Sequence, residues 1–155
     1  MELADILAEG AVLTCTGLRT KRELFEELAD KAAELTGQDS STIFEAINSR
    51  EELGSTGLGN GIAIPHGKIA GLNQVQAVFA RLDQPIEFDS VDDQPVDIVM
   101  MLLAPAGAGA DHLKALSRVA RLLRTETVVD SIRRLDVPSK LHALLTAPVA
   151  ATYAA

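Results

Sequence analysis

Fifteen consecutive residues, Gly54-Ser-Thr-Gly-Leu-Gly-Asn-Gly-Ile-Ala-Ile-Pro-His-Gly-Lys68, gather five glycines, two hydroxyls, a lysine and a histidine around a short apolar run. Gly57, Gly59 and Gly61 alternate, which frees the backbone for sharp turns or for close approach to a ligand. The same glycines would suit a mobile surface loop. Ile62-Ala63-Ile64 argues otherwise, because a β-prone run should be partly buried and should carry His66 to a strand end on rigid support. Pro65 fixes a dihedral just before the imidazole, and Gly67 leaves room just after it. A histidine held and accessible in this way suits a nucleophile or a proton-transfer group better than a core residue.

Several chemistries fail on spacing. A phosphate-binding P-loop needs glycine at position 62 and Ser or Thr at 69, and isoleucine stands at both. Gly57-Leu-Gly59-Asn-Gly61 lacks the final spacing of a dinucleotide fingerprint. Ser55 is in no nucleophile-elbow context, and the lone Cys15 reads as a partly buried small apolar residue. The histidines stand at 66, 112 and 142, none at helical pair spacing for zinc, so no metal and no cofactor is expected; His142 reads as a surface or boundary residue. What remains is a histidine that itself becomes the covalent intermediate. A neutral imidazole is a competent nucleophile, and a phosphoryl group on nitrogen stays reactive enough to move on. Phosphoryl transfer asks for in-line positioning and charge stabilisation, which Arg50, the hydroxyls of Ser55 or Thr56 and backbone N–H groups can supply.

The elements that must position these residues follow from pattern. A short helical turn near Ala4–Leu7 precedes a strand at Ala11–Thr14. Thr20 and Glu23 form a capping box for a helix whose apolar face is Leu24, Phe25, Leu28, Ala32 and Leu35, with Gly37 as its stop. Thr42 and Glu45 repeat that spacing for a second helix, which runs out near Arg50. Val75–Leu82 and Val96–Ala104 read as strands, the second apolar almost throughout, as for a central strand covered on both faces. The acidic stretch between them (Asp83, Glu87, Asp89, Asp92, Asp93, up to Asp97) reads as a solvated connection or as a partner-docking rim. Asp111 is placed to cap a helix with His112 in its first turn; Thr125 caps another, and Pro138 or Ser139 opens the last. The sum is one three-layer α/β domain over residues 1–155, its core from about residue 3 to 146, with a frayed tail from about Ala147.

The chain has 155 residues, 47% of them hydrophobic, enough for one sizeable core. Its formal net charge of −8 argues against nonspecific nucleic-acid binding and suits a basic protein partner. No apolar run reaches membrane-spanning length and no signal sequence opens the chain, so a soluble, cytoplasmic protein with no direct membrane insertion is expected.

The run Arg50-Glu-Glu-Leu-Gly-Ser-Thr-Gly-Leu-Gly-Asn-Gly-Ile-Ala-Ile-Pro-His-Gly-Lys68 resembles the active-site region of enzyme IIA components of the bacterial phosphotransferase system, fructose/mannitol type, most of all their nitrogen-regulatory branch. The likeness continues through Pro85-Ile-Glu-Phe-Asp89, Gln94-Pro-Val-Asp97 and His112-Leu-Lys-Ala-Leu-Ser117, up to about Thr146. It implies a mixed β-sheet with helices on both faces, including antiparallel pairing. It implies that His66 accepts a phosphoryl group from an HPr-like phosphocarrier and that Arg50 and His112 complete the site, with Ser55 and Thr56 as hydrogen-bonding, phosphate-binding neighbours. His112 also reads as neutral in its own right, since a helix N-terminus disfavours the imidazolium. Lys68 matches the motif without an assigned catalytic role. The resemblance further implies regulatory protein targets, such as a transporter or a sensor kinase, chosen by phosphorylation state. The alternative is a sugar-specific IIA that passes phosphate to a separate IIB component; the absence of permease and IIB-like segments favours the regulatory reading.

Overall fold

Val96–Pro105 forms the strand on which the rest of the molecule is built, and Ile98 through Ala104 are buried at every position. Because neighbouring side chains of a strand point to opposite faces, unbroken burial means that both faces of the sheet are covered. The computed structural model describes residues 2–147. In chain order it has two short 3-10 turns (Leu3–Asp5 and Glu9–Ala11), β1 (Val12–Cys15), α1 (Lys21–Thr36), α2 (Ser40–Glu52), β2 (Gly57–Gly59), β3 (Ile62–Ala63) and β4 (His66–Ile69). Then come β5 (Gln76–Ile86), β6 (Val96–Pro105), α3 (Gly109–Leu123), α4 (Glu126–Arg134) and α5 (Pro138–Leu145).

The sheet is mixed, in the order β1-β5-β6-β3-β2, with β4 also on β6. β5 and β6 run antiparallel, β2 pairs antiparallel with β3, and β1, β3 and β4 lie parallel to their partners. β3 and β4 are one line of chain in a single register: Ile62 pairs with Ile98 and His66 with Leu102, the same step on both strands. The Pro65 carbonyl keeps the ladder by accepting from Leu102 N–H at 2.9 Å. His66 therefore hangs from the central strand, as the Ile62–Ile64 run predicts.

Helix α1 starts as its capping box requires: Thr20 accepts from Glu23 N–H and the Glu23 side chain accepts from Thr20 N–H. It stops at Gly37 in the left-handed region, φ 76°. Helix α2 differs from expectation. Its cap is Asp39, whose carboxylate accepts from Thr42 N–H at 3.0 Å, so Thr42 lies inside the helix rather than at its start. It also continues past Arg50 to Glu52. Helix α3 begins two residues before Asp111, with Ala108 at the cap position and no side-chain cap bond. Thr125 takes the cap position of α4, but its hydroxyl donates backward to the Arg121 carbonyl.

Strand β5 extends four residues beyond the expected Leu82, into the acidic stretch. Its pairing with β6 jumps from Arg81–Ile98 to Ile86–Val96, and this bulge removes Pro85 from the ladder, where a missing N–H would otherwise cost a bond. The Gly57–Gly59 strand has no counterpart in the sequence reading, since glycine carries no strand signal; it turns back through Asn60 and Gly61, both with positive φ. The expected tail lies, beyond Ala147, outside the described residues. Among the described residues no helix is long and apolar enough to cross a membrane.

Candidate active site

Three chain segments meet at His66: the start of β4 that carries it, the end of α2 with the loop after it, and the first turns of α3. Gly67 makes room for the second of these. A Cβ built on Gly67 would stand 3.2 Å from both the carbonyl carbon and the Cβ of Ala46, a tight contact that glycine avoids where α2 crosses β4. The room beside the imidazole is thus taken by a helix, which brings Arg50 to the site.

The His66 ring is half-buried, and its Nδ1 lies 2.9 Å from the Ile64 carbonyl oxygen. A carbonyl only accepts, so Nδ1 carries the proton and Nε2 is left with its lone pair. Burial holds the His66 pKa below the usual imidazole value of 6.5; the Arg50 charge pushes the same way, while the Ile64 hydrogen bond and Glu51 push back. His112 is buried and meets the His66 ring edge to face, with centroids 5.4 Å apart and planes at 73°. Its pKa is lowered too, first by burial and then by His66 and Lys68. The helix N-terminus invoked from the sequence points the same way, but burial is the larger cause. The Nε2 of His112 is buried with no partner among the described residues. Leaving a buried polar atom unpaired costs about 1–3 kcal/mol, so such atoms mark places where something other than stability has been selected.

Arg50 donates through Nη1 to the Gly54 carbonyl at 2.9 Å, and its other guanidinium N–H groups have no partner among the described residues. Its partner in sequence, Glu51, is a residue the sequence reading missed. The Glu51 carboxylate is buried; one oxygen accepts from Thr56 N–H at 3.0 Å and from the Thr56 hydroxyl, and the other pairs with Lys21 Nζ at 3.0 Å. Lys21 in turn lies 4.5 Å over the Phe88 ring. These bonds fasten the loop after α2 to α1 and to the segment after β5. Thr56 spends both its donors on Glu51 and reads here as a tether of that loop. Ser55 is more open: its hydroxyl accepts from Gly57 N–H at 3.1 Å and reaches the Phe88 carbonyl only at 3.5 Å.

The remaining histidine, His142, is half-buried on α5 and joins it to the N-terminal segment, with Nε2 2.9 Å from the Leu7 carbonyl oxygen. Cys15 is half-buried, and burial raises its thiol to about 11, which fits the inert role expected for it. Two acids of the 83–97 stretch are internal fasteners: Asp92 accepts from Asn60 N–H and Gln94 N–H, and Asp97 pairs with Arg133 at 2.9 Å. No three His, Cys, Asp or Glu side chains come together as metal ligands among the described residues.

A strand-borne histidine, edge-on to a second, buried histidine and with an arginine nearby, thus stands on a mixed sheet. Residues 5–147 match the family described as Phosphoenolpyruvate-dependent sugar phosphotransferase system, EIIA 2, and the chain belongs to it. Its relatives in that family include nitrogen regulatory proteins and fructose-specific components. It is 48% identical over 150 residues to the nitrogen regulatory protein of Bradyrhizobium diazoefficiens, covering 97% of this chain and 98% of the relative. The crystal structure of nitrogen regulatory protein IIA-Ntr from Neisseria meningitidis superposes with a TM-score of 0.87 at 33% identity, covering 93% of this chain and 99% of that one. The fold is shared more widely: mannitol IIA from Escherichia coli gives a TM-score of 0.74 at 19% identity, over 89% and 97% of the two chains.

Proposed function

We propose that this protein is a phosphoryl carrier of the nitrogen-regulatory phosphotransferase branch, that Nε2 of His66 accepts the phosphoryl group from an HPr-like carrier, and that the charge so gained decides which regulatory proteins it binds. The observation that carries the reading is the Nδ1–H bond to the Ile64 carbonyl, which leaves Nε2 as the nucleophile. In the transfer, the Nε2 lone pair forms the new N–P bond as the N–P bond of the phosphorylated carrier breaks, and the carrier's imidazole leaves neutral. The phosphorylated His66 ring keeps its proton on Nδ1, and the Ile64 carbonyl faces the positive charge that develops there. Arg50, with donors to spare, neutralises phosphoryl oxygens, and Ser55 contributes a hydroxyl. His112, protonated at its unpartnered Nε2, donates a hydrogen bond to the transferred group. Thr56 acts through Glu51 by holding the loop that presents Ser55.

Residues 3–146 work as one domain in this reading, and the regulatory targets recognise its surface around His66. The test is intact mass after incubation with enzyme I, an HPr-type carrier and phosphoenolpyruvate. One acid-labile phosphoryl group in the wild type and none in His66→Ala is the expected result. Absence of the group with an active donor system would refute the reading. Onward transfer to a purified fructose- or mannitol-type IIB domain would redirect it to sugar uptake.

A further inference from the structure

Helix α3 carries a charge that the rest of the chain does not. The molecule has a net charge of −8, yet the helix and its C-cap hold Lys114, Arg118, Arg121 and Arg124 against a single acid, Asp111. At 100° per residue these cations fall on one outward arc, opposite the buried face of His112, Ala115, Val119 and Leu122. Lys114, Arg121 and Arg124 form no ion pair among the described residues, and Arg118 has only the exposed Glu2, at 3.1 Å. Glu126 and Asp130 temper Arg124, with which they line a neighbouring cleft, and Glu2 pairs with Arg118, whose side chain is only 17% exposed, so the uncompensated charge is at Lys114 and Arg121. Beside them Leu113 is 67% exposed, an apolar side chain directly after His112. Two shallow depressions flank the row of Ser117 and Arg121 on this face.

We propose that the outer face of α3 is a docking surface for an acidic segment of a partner protein, whose carboxylates meet Lys114 and Arg121 while an apolar side chain covers Leu113. The match is one of charge and length: Lys114 and Arg121 are two turns apart, roughly 10 Å along the axis, which suits an acidic helix or strand laid beside α3. The apolar neighbour favours a protein segment over a polyanion, which needs only charge. The surface begins at the candidate active site and is coupled to it. Along the axis Lys114 is offset only about 3 Å from His112, but it faces the other side of a helix about 10 Å across, so the near end of the surface lies at about one screening length of ~8 Å from the histidines and Arg121 lies beyond it. A doubly negative group on His66 therefore repels a carboxylate docked at the near end of α3. This coupling rests on the assignment of His66 as phosphoryl acceptor; the docking surface does not.

The test uses the isotope-labelled full chain and a synthetic peptide of about sixteen residues made of Glu, Leu and Ala in amphipathic order, with a Lys-for-Glu version as control. The amides of residues 113–124 should shift with the acidic peptide alone, and Lys114→Glu with Arg121→Glu should abolish the response. Leu113→Ala, which touches no charge, should weaken it. Shifts that map elsewhere, or that survive the double reversal in a well-dispersed spectrum, overturn the proposal; so does tighter binding of a uridine oligonucleotide to the same amides. Phosphorylated protein should bind the peptide roughly threefold or more weakly at low salt, with the difference fading as salt rises. Equal affinity of the two forms overturns the coupling. If mass shows no phosphoryl uptake, the acceptor assignment fails by itself, and the titration of the unmodified protein still decides the docking surface.

Discussion

Protonation would disarm His66 as a nucleophile, and its surroundings work against protonation. Burial lowers the pKa of both His66 and His112 from 6.5, so both imidazoles stay neutral as pH falls through that value. Phosphoryl uptake should accordingly hold its rate from neutral pH to below 6.5 and drop only at more acid pH. The sign for stability follows: unfolded imidazoles take up protons near 6.5 while the folded ones do not, so stability is lost as pH falls below that value. Imidazole NMR titrations check both statements, and midpoints at or above 6.5 would contradict them. Arg50→Gln should raise the His66 midpoint, since the guanidinium charge is part of what lowers it. Glu51 makes a second prediction at this scale. Glu51→Gln removes the charge that Lys21 and Thr56 share, and should cost about 1.5–3 kcal/mol in urea unfolding while speeding exchange of the Thr56 amide. The sequence could not single Glu51 out: it stands between Arg50 and the exposed Glu52, and only the return of the loop shows which carboxylate is covered. The place of His66 at the start of a strand was legible because a β-prone run and Pro65 lead into it.

Elements were legible where one local interaction decides them. The Thr20–Glu23 box, the Gly37 stop and the unbroken apolar run of β6 are of this kind. Where two signals compete, tertiary context chose: Asp39 and Thr42 can each cap α2, and the extended backbone at Asp39 settles it. The β5 bulge and the β2 strand were illegible because neither has a periodic signal, and both depend on partners distant in sequence. The contact of α2 with β4 is also long-range, and it carries the prediction at this scale. Gly67→Ala forces a Cβ against Ala46 backbone and should destabilise the fold by about 1–3 kcal/mol. Because α2 also carries Arg50, phosphoryl transfer in this variant should slow even at temperatures where the protein stays folded. An unchanged transfer rate would mean that the helix position does not set the site.

Across the whole molecule, charge is partitioned in a way that the net value of −8 conceals. Acids of the 83–97 stretch are partly consumed in fastening loops, while α3 presents cations next to the site. That partition was not readable in the chain, because an acidic stretch in sequence does not reveal which carboxylates face solvent. The family was readable from the resemblance around His66 and the covered central strand from the apolar β6, whereas the antiparallel pairing followed only from the resemblance. The most direct measurement is phosphorus–nitrogen coupling on protein labelled with nitrogen-15 at histidine, after charging by phosphoenolpyruvate, enzyme I and an HPr-type carrier. The account predicts one phosphorus bonded to Nε2 of His66, with Nδ1 still protonated against the Ile64 carbonyl. Phosphorus on Nδ1, on His112, or on no histidine would contradict it.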